Sequence, residues 1–107
     1  MTTFDNRETA FENKFAHDEK LDFAVEARTS KLFGLWAAAQ LGLSGQDAGT
    51  YAADVVGANL EEKGFNDILR KVRKDFDAKG LQITDHTMDI ELQKALVEAK
   101  KQIKGSA

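Results

Sequence analysis

Apolar positions along the chain recur at intervals of three and four almost throughout, and no stretch shows the sustained alternation of β-branched residues that a strand needs. The pattern predicts an all-α protein. A first helical region runs from about Asp5 to Leu41, its later part carrying Leu21, Val25, Leu32, Leu35, Trp36 and Ala39 on one stripe, until Gly42 and Gly45 punctuate it. Ser44 is placed to cap a second helix, with Asp47 in its first turn and Ala48, Tyr51, Ala52, Val55, Val56 and Leu60 on the inner face. Lys63 and Gly64 close it. A third helix begins at Asn66 or Asp67, turns Leu69, Val72 and Phe76 inward, and stops at Gly80, which supplies a left-handed C-terminal cap. Thr84 or Asp85 opens the fourth, which repeats Met88, Leu92, Ala95, Leu96, Ala99 and Ile103 and ends in Lys100, Lys101 and Lys104, suited to the helix dipole. Short connections favour antiparallel neighbours, hence a single-domain four-helix bundle.

One stretch fits this scheme poorly. Phe4, Phe11 and Phe15 share a helical stripe through spacings of seven and four, while Asp5, Asn6, Arg7, Glu8, Glu12, Asn13 and Lys14 cover most of the remaining surface. A continuous helix from Phe4 to Leu41 would be about 57 Å long, whereas a compact chain of this size spans roughly 35 Å. The segment must bend or protrude. The chain is therefore divided into an N-terminal partner-binding segment over 1–20 and a helical bundle over 21–107. The segment is expected to be flexible in the free protein and to become ordered as helix on a partner. Folding back onto the bundle as a decorated extension of the first helix is the alternative.

Composition narrows the field of partners. The 107 residues carry 18 acids and 15 bases, so no global field draws the chain toward nucleic acid or an anionic membrane. Arg70, Lys71, Arg73 and Lys74 are interleaved with Asp67, Asp75 and Asp77, the pattern of a solvated helix face. Without cysteine there is neither a disulfide nor a thiolate metal site. The chain lacks a membrane-length apolar run and its start lacks the features of a signal peptide, so a soluble, intracellular protein is expected.

Catalytic chemistry finds no foothold in these residues. His17 and His86 have acidic neighbours, Asp18 and Glu19 or Asp85 and Asp89, but not ligands spaced on one helix face for a metal. Ser30, Ser44 and Ser106 have no matched base, and the glycines match neither a dinucleotide fingerprint nor a phosphate loop. The reading is a non-enzyme without a cofactor or metal. Trp36 is expected to anchor the core, and Tyr51 to be a partly buried ring with its hydroxyl at the boundary.

The string Thr3-Phe4-Asp5-Asn6-Arg7-Glu8, with Ala10-Phe11-Glu12 and Lys14-Phe15-Ala16-His17-Asp18-Glu19, closely resembles the start of the zeta subunit of alphaproteobacterial F-type ATP synthases. Lys31-Leu32-Phe33-Gly34-Leu35-Trp36-Ala37-Ala38 and Leu41-Gly42-Leu43-Ser44-Gly45 continue the resemblance, and Tyr51-Ala52, Val55-Val56 and Leu69-Arg70-Lys71-Val72 extend it over nearly the whole chain. What it implies is a small four-helix bundle that inhibits ATP hydrolysis by the catalytic head of the synthase. Its N-terminal segment would enter the interface of alpha and beta subunits beside the gamma shaft. By position, Phe4, Asp5, Arg7, Glu8, Phe11, Glu12, Lys14 and Phe15 would carry that contact.

The resemblance further implies a cytoplasmic protein held peripherally at the inner membrane through the synthase, with no direct membrane insertion. The free chain is expected to be a monomer. The chain departs from the family pattern at Asn6, where an acid is frequent, and in the loop around 63–66. It departs also at Thr29 and Ser30, read as bundle-surface positions where a more basic pair is usual. The alternative function is a small helical ligand-binding module, with an adenine nucleotide bound on the bundle.

Overall fold

Four helices and no strand make up the described residues, 23–59 and 64–106, of the computed structural model. Helix α1 is helical throughout 23–40, followed by α2 (Gly45–Asn59), α3 (Asn66–Lys79) and α4 (Asp85–Ser106). The all-α expectation holds. The aromatic stripe of Phe4, Phe11 and Phe15 lies outside the described residues, as does Leu60.

Helices α1 and α3 end by the same device. Gly42 (φ 81°) and Gly80 (φ 75°) take the left-handed conformation that a side chain disfavours. Each donates its N–H three residues back, to the carbonyls of Ala39 and Asp77 at 3.1 and 3.0 Å. The residue that follows donates five back, Leu43 to Ala38 and Leu81 to Phe76, both at 2.9 Å, completing the Schellman pattern. Leu43 and Leu81 then pack against the core, so each stop also directs the next segment. At the start of α4, Thr84 Oγ1 accepts the Thr87 N–H at 3.1 Å, which makes Thr84 rather than Asp85 the capping side chain.

The core draws on every helix: Phe33 and Ala37 from α1 with Leu41 in the turn after it, Val55 from α2, Ile68, Val72 and Phe76 from α3, and Met88, Leu92 and Ala95 from α4. Trp36 is half-buried and packs on it as expected, stacking on Phe33 (5.4 Å between centroids) and meeting Phe76 edge-on at 5.8 Å. These rings tie α1 to α3.

The face that α1 buries is rotated from the one read in the sequence. Thr29, Ser30, Phe33, Gly34, Ala37, Ala38 and Leu41 are buried, whereas Val25, Leu32, Leu35 and Trp36 are half-buried and Ala39 is exposed. The reason is proximity. A Cβ built on Gly34 would stand 2.9 Å from the Ala52 Cα and 3.1 Å from the Val55 Cβ, so the α1 and α2 backbones approach where small residues allow it. The larger leucines are displaced to the flanks. Thr29 and Ser30 are accordingly interior residues and not surface ones, each fully buried. On α3 the corresponding correction is small: Ile68 is buried and Leu69 lies beside it, half-buried.

Candidate functional site

The residues expected to bind a partner, Phe4, Asp5, Arg7, Glu8, Phe11, Glu12, Lys14 and Phe15, all fall outside the described part of the chain. What the bundle does define is the point from which that segment departs. Arg28 Nη1 donates to Gln102 Oε1 at 2.8 Å, which sets the beginning of α1 beside the end of α4. Phe23, at the first described turn, is 63% exposed.

Three of the four cations in the basic cluster of α3 are spent on carboxylates of the same chain. Arg70 pairs with Asp67 one turn earlier, Lys71 reaches Asp75 at 3.1 Å, and Arg73 contacts Asp77 at 3.5 Å and, across the connection to α4, Asp85 at 2.6 Å. This is the solvated, self-compensated face that the interleaved charges suggested. Asp75 is its busiest member, since it also accepts the Tyr51 hydroxyl at 2.7 Å from α2. Lys71 sits 5.1 Å above the centre of the Tyr51 ring, so one carboxylate, one ammonium and one phenol join α2 to α3. Burial raises the Tyr51 pKa above its usual value, and the hydrogen bond and charge of Asp75 raise it further. The phenol is a neutral structural donor. Nothing about the spacing of Tyr51 and Asp75 announced their pairing, which depends on how two helices face each other.

A depression between α3 and α4, lined by Leu69, Arg70, Arg73, Asp85, Met88 and Asp89, is where a phosphate-bearing ligand would be sought. Its two guanidinium groups already hold carboxylates, Asp67 for Arg70 and Asp77 and Asp85 for Arg73, and Asp85 and Asp89 stand in its wall. The local charge is balanced instead of positive. His86 is exposed, and the described residues contain no group of three His, Cys, Asp or Glu side chains able to hold a metal. His17 lies outside them. Among the candidate serines, Ser30 is fully buried and Ser44 is exposed.

The outward side of α4 carries a feature that the sequence reading passed over. Ile90 and Val97 are 42% and 54% exposed, and they lie on the side opposite the buried stripe of Met88, Leu92, Ala95 and Ala99. Their seven-residue spacing was the available signal. It was masked by the stronger inner stripe of the same helix.

Architecture and surface chemistry together define the class: a small helical bundle with a packed apolar core and internally paired surface charges, one of whose helices keeps an apolar outer strip. Within it the assignment is specific, because the family model described as ATPase inhibitor subunit zeta matches residues 1–102 and the chain belongs to that family. A search among curated proteins found no match. Membership makes this an ATPase inhibitor subunit, a regulatory role directed at the ATP synthase. Among the described residues no helix is long and apolar enough to cross a membrane.

Proposed function

We propose that the segment over 1–20 is the inhibitory element and that it acts as a wedge in the catalytic head of the ATP synthase. In this reading Phe4, Phe11 and Phe15 fill apolar grooves at an interface of alpha and beta subunits beside gamma. Asp5, Arg7, Glu8, Glu12 and Lys14 fix the register of the inserted helix. The bundle stays outside as a stopper. Rotation in the hydrolytic direction is blocked mechanically, with no bond made or broken by this subunit.

The observation that carries the reading is the self-sufficiency of the bundle. Among the described residues the core draws on all four helices, and Arg70, Lys71 and Arg73 of the α3 basic cluster are paired with acids, so the three-ring stripe of the segment is the element best equipped for a partner. Three buried phenylalanines contribute roughly 1.5 to 3 kcal/mol each before ordering costs, ample for an anchor. The test is a crossed pair of substitutions. Phe11→Ala is expected to weaken inhibition of ATP hydrolysis by the purified head about tenfold or more and to leave thermal stability unchanged. Phe76→Ala is expected to do the reverse, and swapped outcomes would mean that core and interface have been exchanged.

A further inference from the structure

The outer strip of α4 and the aromatic segment have matching geometry. Ile90 and Val97 stand seven residues apart on the solvent side of α4, and Phe4 and Phe11 are likewise seven residues apart in the sequence. Around the α4 strip lie His86, Asp89, Gln93, Lys94 and Glu98, so it is an apolar lane with polar walls. Two helices bearing apolar residues at one heptad spacing can pack along a common seam.

The chain also has the reach. The contact of Arg28 with Gln102 puts the start of α1 beside the end of α4, so the segment over 1–22 joins the bundle at the level where α4 ends, beyond Val97 along the helix. From Gln102 back to Ile90 is about 18 Å along the helix, while the segment, if helical, is about 30 Å long. A reversal of the chain near 20–23 carries Phe11 toward Val97 and Phe4 toward Ile90, to within about a turn. The charges agree. Acids outnumber bases in the segment, with Glu8 and Glu12 beside the rings, and around the strip the exposed Lys94, Lys100 and Lys101 outnumber Asp89 and Glu98.

We infer that the outer face of α4 is an intramolecular dock for the N-terminal segment, with Ile90 and Val97 as its apolar contacts. The strip offers few apolar atoms, so the docked state exchanges readily with an undocked one. Tethering favours it nonetheless, because the segment is held at a high effective concentration. The parked segment is hidden from a partner, and the ATP synthase head competes with α4 for the same phenylalanines. The regulatory consequence rests on the N-terminal reading above; the docking itself does not.

A chain without cysteine suits a paramagnetic test. Gln93→Cys carrying a nitroxide, in the full-length protein, is expected to broaden the amide resonances of residues between Thr3 and Phe15 strongly. The exposed pair Ile90→Glu with Val97→Glu is expected to restore those resonances without altering the melting temperature. Absence of broadening in the segment, or broadening that persists in the double variant, overturns the dock. So does broadening that transfers in full to isotope-labelled chains lacking the nitroxide, mixed with unlabelled chains that carry it, since the occupant is then a second copy. Failure of the inhibitory reading shows elsewhere, in a truncated chain that still inhibits the head.

Discussion

Helices α3 and α4 have equally well-formed inner faces and very different outer ones. On α3 the outward surface is a set of arginines and lysines, most of them held by acids one turn away or across the loop, so its electrostatics are settled within the chain. On α4 the corresponding surface carries Ile90 and Val97 in contact with water. An amphipathic helix needs only one apolar stripe to join a bundle. The second stripe on α4 therefore contributes little to folding, and it marks the place where the bundle has something left to bind.

That contrast can be tested first where the expected effect is greatest. Phe76, fully buried on the inner side of α3, is expected to cost about 3 to 5 kcal/mol when cut to alanine. Denaturant unfolding measures this directly. Gly34→Ala comes next: the new methyl meets the Ala52 backbone, and overpacking of this kind costs about 1 to 3 kcal/mol. A neutral result would show that α1 and α2 can separate without loss.

Tyr51→Phe removes the hydroxyl that joins α2 to the charged face of α3, with an expected cost of about 0.5 to 1.5 kcal/mol. The same group makes a pH prediction. Its folded pKa lies above the usual 10.0, so its stabilising contribution is complete below pH 10 and declines as pH rises through the folded value. Since it is the only tyrosine, phenolate absorbance reports it alone, and Tyr51→Phe should remove that part of the alkaline stability loss. The smallest effect belongs to α4: Ile90→Ser and Val97→Ser should each change stability by less than about 0.5 kcal/mol. A loss as large as that of Phe76→Ala would make the strip part of the core and end the comparison.

The parts of the fold that were legible in the sequence are those decided locally. Gly80 as a left-handed stop, Thr84 as one of two named caps, and Phe76 with Val72 on an inner face follow from neighbours within a turn or two. What depended on which helix stands opposite was read less well. Large side chains drew the buried face of α1 toward Leu35 and Ala39, yet the close approach at Gly34 gives the interior to Ala37, Ala38, Thr29 and Ser30. Ile68 and Leu69 illustrate the same limit, as adjacent apolar residues that only the tilt of α3 tells apart. The candidate site divides in the same way. Phe4, Phe11 and Phe15 stand out by spacing alone, whereas Ile90 and Val97 acquire meaning only after the opposite side of α4 is known to be buried.

The central claim is that inhibition resides in the segment and stability in the bundle. Deleting residues 1–17 and measuring both ATP hydrolysis by the cognate purified head and the thermal melt of the truncated chain tests it most directly. The expected result is lost inhibition with a melting temperature close to that of the full chain. Retained inhibition would contradict the wedge, and a collapsed fold would contradict the independence of the bundle.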